Sequence, residues 1–235
     1  MRRIVGALIV CILIGASGCA ETRHVMSVDK SGFLGKELYE KMTPGDESKL
    51  EAALRWRDDS VDWRGYTKLI LDPIVVYRQP QHLGGGNSND NAQILVNYFF
   101  NKLYLAASKE FELVDTPGPG TIRVQSAITD YDQSWVALDM ISTVVPQLRA
   151  TAELKGLATG KPSFVGGVQI EAKVSDAQTG KVLVAAIDRR VGGKSLGKGV
   201  DSWADVKNAM DFWALQFIYR TCVMHGKPNC VKPSP

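Results

Sequence analysis

The sequence predicts an α+β fold, an antiparallel or mixed β-sheet with two main helices packed on it. Three observations predict this. Segments alternating apolar with polar residues, the period of a half-buried strand, recur at 121–131, 168–174 and 181–189. Two longer segments, 92–109 and 202–225, repeat their apolar residues at helical spacing. The order strand, helix, strands, hairpin, helix lacks the regular β-α alternation of a doubly wound fold.

At the N-terminus, Arg2 and Arg3 precede an apolar run from Ile4 to Ile14, and Ala16-Ser17-Gly18 leads to Cys19. A basic start, a short apolar core and small residues before a cut form a secretory signal over residues 1–18, too short for a comfortable membrane span. With Cys19 directly after the cut, the segment resembles a bacterial lipoprotein signal. That resemblance implies acylation of Cys19 as the mature N-terminus, and Ala20 in the next position favours the outer membrane over retention in the inner one. Two or more acyl chains, at about 0.8 kcal/mol per buried CH₂, make such an anchor permanent.

Residues 20–30 are polar and without periodicity, so residues 19–30 read as the lipidated cysteine and a tether of about 35–40 Å at full extension. A single domain is expected over 31–225, followed by a C-terminal tail at 226–235. Ser31-Gly32-Phe33-Leu34-Gly35 opens it, and Leu50, Ala53 and Leu54 suggest a short helix around 48–56. Tyr66 to Tyr77 is apolar on both faces, as in a strand covered on two sides. Pro73 cannot donate to a ladder, so Asp72-Pro73 marks an edge, a bulge or a break there.

A polar loop from Gln79 to Asn91, carrying Gly84-Gly85-Gly86, leads to a helix over 92–109 with Leu95, Phe99, Leu103 and Ala106 on one face. A short strand at 111–114 and a Pro/Gly turn at 116–120 precede the strand at 121–131. Val168, Ile170, Ala172 and Val174 then alternate with Gln169, Glu171 and Lys173, and Asp176 to Gly180 turns the chain into the returning strand. Ser202-Trp203-Ala204-Asp205 has the spacing of a capping box, Val206, Met210, Trp213 and Phe217 line the last helix, and Gly226 and Pro228 end it.

Charge and cysteine content narrow the function. The precursor carries 28 basic and 25 acidic residues, and loss of Arg2 and Arg3 with the signal leaves a net charge near neutrality. A nearly neutral, interspersed surface lacks the basic stripe that phosphate backbones require, so nucleic acid is excluded as a partner. Once Cys11 leaves with the signal and Cys19 is acylated, Cys222 and Cys230 remain, and in an oxidising compartment they should pair. Zinc ligation by Cys222, His225 and Cys230 is the alternative, but it offers only three local ligands.

Catalytic patterns fail on their context. Gly193-Lys194-Ser195-Leu196-Gly197 has the spacing of a nucleophile elbow, with Asp201, Asp205 or Asp211 and then His225 in triad order, yet Ser195 follows a hairpin rather than a parallel strand. Read as a phosphate loop, the same stretch puts Asp188 where a glycine is needed. The glycines at 84–86 do not complete a dinucleotide pattern, because Asn89 occupies its third glycine. No cofactor is indicated. The remaining candidate is Leu138 to Leu157, where Ile141, Val144, Val145 and Leu148 form an apolar side with few charges. It reads as a cover for the sheet or as a surface for a ligand or partner. Asp188-Arg189-Arg190 reads as a solvated strand end.

Ser31-Gly32-Phe33-Leu34, the 63–77 stretch with Asp72-Pro73, Ser142-Thr143-Val144-Val145-Pro146, Ser163-Phe164-Val165-Gly166, the 176–180 turn, Asp188-Arg189-Arg190 with Gly192-Gly193-Lys194, and Asp211-Phe212-Trp213-Ala214 together resemble a proteobacterial outer-membrane lipoprotein family grouped only as a domain of unknown function. The resemblance spans nearly the whole mature chain. It implies a lipid-anchored envelope protein facing the periplasm, and it carries over no catalytic residue; the Cys222 and Cys230 pair is not part of the family pattern. The expected function is therefore binding without catalysis, as an adaptor or accessory subunit for an unidentified envelope protein. The alternative is a carrier or sensor of a lipid or other apolar ligand, with a pocket behind Ile141 and Val145, and a hydrolase is a distant third.

Overall fold

Three long strands build the centre of the molecule, β7 (Thr121–Asp132), β8 (Gly167–Asp176) and β9 (Val182–Gly192), paired antiparallel in that order. The computed structural model describes residues 22–77, 88–132, 167–192 and 203–234. Within them the chain also forms β1 (Thr22–His24), α1 (Lys36–Lys41), β2 (Thr43–Pro44), β3 (Leu54–Arg57), β4 (Lys68–Leu71), β5 (Val75–Val76), α2 (Ser88–Ala107), β6 (Glu112–Leu113) and α3 (Ala204–Met224). The sheet order is β2-β3-β9-β8-β7-β4-β6, with β1 also on β9 and β5 also on β7. Pairs of β4 with β6 and β7, and of β5 with β7, are parallel, and the other pairs are antiparallel. The fold is thus α+β with a mixed sheet, as the periodicities require.

One face of the sheet packs on α2 and α3. Leu95, Phe99, Leu103 and Ala106 of α2 are all buried, as are Val206, Met210 and Trp213 of α3. They meet Ile128, Val168 and Ile170 from the sheet, with Phe99 and Trp213 rings 5.9 Å apart. Gly180 takes a positive φ of 74° at the β8-β9 turn, where Asp176 Oδ1 accepts from the backbone N–H groups of Gln178 and Thr179. The chain from Tyr66 to Tyr77 is split at Asp72-Pro73 into β4 and β5, which follow one another along β7. Proline therefore marks a break on the unpaired side of the strand: β6 meets β4 only at Lys68 and Leu69, and β5 pairs with β7 alone among the described residues.

Several expectations change. The stretch around 48–56 is not helical: a single 3-10 turn over Glu47–Lys49 is closed by Leu50 at a φ of 54°, and the chain then extends into β3. Beside β9, a strand satisfies the backbone donors and acceptors of both partners, which a short isolated helix of this composition cannot do. Trp203 is the N-cap of α3 and makes no side-chain cap bond, and Asp205 packs against Gly192, while Ser202 of the expected capping box lies outside the described residues. The tether is shorter than its composition suggests. Thr22 to His24 pair with Gly192 to Arg190, so residues of the expected tether belong to the sheet.

The C-terminal tail also returns to the fold. Lys227 Nζ lies 2.6 Å from Glu110 Oε2, Lys232 donates to the Ser48 carbonyl, and Cys230 is disulfide-bonded to Cys222.

Candidate functional site

The second face of the sheet is covered by the strap from Val25 to Met42, which corrects the reading of Gln169 and Glu171 as solvent-facing alternates: they are 1% and 0% exposed. Glu171 Oε1 accepts the Ser31 N–H at 2.7 Å, and Oε2 accepts the Tyr39 hydroxyl at 2.5 Å. That hydroxyl in turn accepts the N–H groups of Gly32 and Leu34. Gln169 accepts from Asp29 N and donates to Asp29 O and to Thr129 Oγ1 at a bulge in β7. Burial, and then the Glu171 carboxylate, push the Tyr39 hydroxyl above its ordinary pKa. The Ser31-Gly32-Phe33-Leu34 motif is therefore a docking segment.

Asp188-Arg189-Arg190 is likewise a framework and not a solvated strand end, each residue being at most 4% exposed. Asp188 accepts from His24 Nε2 and Trp213 Nε1, each at 2.6 Å, and from Ala53 N at 3.0 Å. One carboxylate so ties β1, the entry to β3 and α3 to the middle of β9. Arg190 donates to the Thr22 hydroxyl and carbonyl, and its guanidinium carbon stands 3.5 Å from the Phe212 ring centre. Burial pushes its pKa down, and Asp188 and Glu47 oppose that. Arg189 NH1 lies 2.6 Å from Asp130 Oδ2 on the strap side.

Between the sheet and the helices lies a mostly apolar cavity of about 250 Å³. Phe99 and Leu103 of α2 and Trp213 and Phe217 of α3 stand over it, and Val124, Ile170 and Val174 lie beneath. Arg55 and Arg57 of β3, Glu51 and Arg220 line one end, where the two β3 arginines are 37% and 46% exposed. Arg55 Nε is 2.6 Å from Glu51 Oε2, Arg57 pairs with Asp59, and Arg220 NH2 donates to the Lys49 carbonyl. Burial pushes the Arg220 guanidinium below its usual pKa, opposed by the nearby Glu51 carboxylate. A second cavity of about 400 Å³, lined by polar groups of β1 together with Asp188 and Arg190, adjoins the first. Gln216 and Leu50 line both, joined by a 2.6 Å bond from Gln216 Nε2 to the Leu50 carbonyl. Leu50 holds a left-handed conformation that costs a branched aliphatic residue about 1–2 kcal/mol, so this corner is held by its surroundings.

Cys222 and Cys230 form a disulfide, so neither supplies a thiolate for zinc. Among the described residues no His, Cys, Asp and Glu group of three could hold a metal ion. His225 packs edge-on to Phe111 at 5.6 Å, and burial followed by the Lys227 charge pushes its pKa down. At 1.5 Å per residue, α3 itself separates Asp205 and Asp211 from His225 by about 30 and 21 Å, so neither acid orients that imidazole. Asp211 instead accepts from the Tyr98 hydroxyl and pairs with Lys102. Cys19, Asp201, Ser195, the glycines at 84–86, and Ile141, Val144, Val145 and Leu148 lie outside the described residues. Among the described residues no helix is long and apolar enough to cross a membrane.

The sequence reading missed the arginines. Arg55 and Arg57 alternate correctly for a strand, but the neighbouring leucine spacing reads as helix. Arg220 lies on α3 and gives no local signal at all.

Residues 29–217 match a family model described as a protein of unknown function, DUF3313. A protein of Escherichia coli described as an uncharacterized lipoprotein, YdcL, is 31% identical over 187 residues, covering 79% of this chain and 81% of that protein. Among solved structures, the PelC dodecamer from Paraburkholderia phytofirmans aligns with a TM-score of 0.37 at 9% identity, over 74% of this chain and 96% of that one. A DUF330 protein from Xanthomonas campestris aligns with a TM-score of 0.38 at 7% identity, over 72% and 91%. Structural likenesses of that size carry no argument about function.

Proposed function

Because the chain belongs to the DUF3313 family, whose function is unknown, we propose that it is a lipid-anchored envelope protein that acts by binding, holding an apolar ligand in the cavity between the sheet and α3. The cavity carries this reading. Its lining is mostly apolar, so an apolar ligand fills it better than water does, and its volume of about 250 Å³ approaches the range of small-molecule sites.

The Ala16-Ser17-Gly18-Cys19 pattern supports the anchor, as does the description of the Escherichia coli relative as a lipoprotein. We place the domain on the periplasmic side of the outer membrane, on the strength of Ala20. An alkyne fatty acid fed to cells should label the protein at Cys19, and label persisting in Cys19→Ser would refute the anchor. An adaptor role is the second reading. Ile94, Tyr104 and Leu105 favour it, as large apolar residues of α2 that are 56%, 46% and 61% exposed.

Native mass spectrometry of the mature chain, carrying Cys19→Ser and purified without detergent, tests the binding reading. A stoichiometric added mass is expected. A bare chain that also takes up no acyl compound in titration would remove the carrier reading and leave the adaptor.

A further inference from the structure

The register of the sheet gives the cavity a shape. On the helix side, Ser126 of β7 lies opposite Ala172 of β8, Ala172 opposite Ala186 of β9, and Ala186 opposite Arg55 of β3. The rows on either side are bulky, with Ile128 and Ile170 in one and Val124, Val174 and Val184 in the other. Small side chains in one row between two large ones leave a trough one residue wide. It crosses three strand spacings, about 14 Å, and ends at an arginine. Such a space suits an unbranched chain better than a ring system. Ser126 is 5% exposed and lines the cavity.

Charge at the Arg55 end is unequal. Arg55 and Arg57 are matched by Glu51 and Asp59. Arg220 has no carboxylate within ion-pair distance among the described residues, and it spends one N–H on the Lys49 carbonyl, leaving most of its five donors. Glu51 would repel an anion, but one of its oxygens is already held by Arg55 and by the Asp46 N–H.

We propose that this cavity is a site for a single acyl chain with an anionic headgroup, the chain lying over Ser126, Ala172 and Ala186 and the carboxylate or phosphate meeting Arg220 and Arg55. The proposal rests on the reading of the cavity as a ligand site and adds the ligand's chemistry. Free fatty acids and lysophospholipids share that chemistry.

Titration of the mature Cys19→Ser chain, followed by native mass and by the tryptophan fluorescence to which Trp56, Trp63 and Trp213 of the cavity lining contribute, should use laurate, lauroyl lysophosphatidate and the uncharged monolauroylglycerol. The anions should bind at least about tenfold more tightly than the neutral ester, the worth of one charge-assisted hydrogen bond, and Arg220→Gln should erase that margin. Ala172→Leu should abolish uptake of all three, and Ser126→Leu, at the far end of the row, serves if Ala172→Leu does not fold. Whichever anion binds more tightly identifies the headgroup. Equal affinity for the neutral ester, unchanged in Arg220→Gln, would overturn the headgroup while leaving the cavity reading intact. No uptake of any probe would overturn both.

Discussion

Asp188 shows how much one side chain can hold in this molecule. Its carboxylate is the acceptor for His24, Ala53 and Trp213, and it is 3% exposed. Asp188→Ala would strand three donors in a dry interior, with an expected loss of about 3–5 kcal/mol in urea unfolding. Asn at the same place keeps one good acceptor and should restore part of it. A loss below about 1 kcal/mol for Ala would mean that water reaches these donors. Glu171 is the corresponding group on the other face. Glu171→Gln replaces one acceptor by a donor that must face either the Ser31 N–H or a Tyr39 hydroxyl already accepting two bonds. It should cost about 1–3 kcal/mol and raise amide exchange over 29–39 before the rest of the chain responds. Uniform exchange across the domain would contradict a separately docked strap. None of this was legible locally: Gln169 and Glu171 fit a half-exposed strand, and only the return of residues 29–39 over that face makes them internal.

At the scale of elements, period was a sound guide wherever one element could declare its buried side alone. Leu95, Phe99, Leu103 and Ala106 declare α2, and the alternations declare β7 and β8. Period failed at β3, where four residues are too few to outweigh a helical leucine spacing, and it could not reveal the trough, since Ser126, Ala172 and Ala186 become neighbours only through register. Close packing between elements gives a further test. A Cβ on Gly192 would come within 2.0 Å of Asp205 Cγ, so Gly192→Ala must push α3 from β9 and should cost at least about 1–3 kcal/mol in thermal or urea unfolding. The Cys222–Cys230 bridge closes a short loop with a sequence separation of 8 residues, worth about 2.5 kcal/mol by loop entropy. Reduction should loosen the end of α3, and a melting temperature unchanged by reductant would show that the fold holds that loop without the bond.

For the whole molecule, stability should have an acid and an alkaline limb. His225 is harder to protonate in the fold than in the unfolded chain, so the unfolded state binds the extra proton as pH falls below about 6.5, and stability declines there. His225→Gln should flatten that limb, and an unchanged slope would assign it to other groups. Tyr66, half-buried and donating to Asp176, has its pKa pushed up to about 12. Above about pH 10 the unfolded chain ionises first and stability falls again, a limb that Tyr66→Phe should reduce. The pairing of Thr22 with Gly192 bears on the source of any ligand. If Cys19 carries the proposed acyl anchor, the C-terminal end of β9 would be moored within about 10 Å of the headgroups, whereas Ala186, beneath the charged mouth, lies about 20 Å back along the same strand. The leaflet that holds the protein is then a poor larder for it, and cargo would arrive from the aqueous side. Labelled laurate dissolved in buffer should load an anchored copy at least as fast as laurate already resident in its own bilayer.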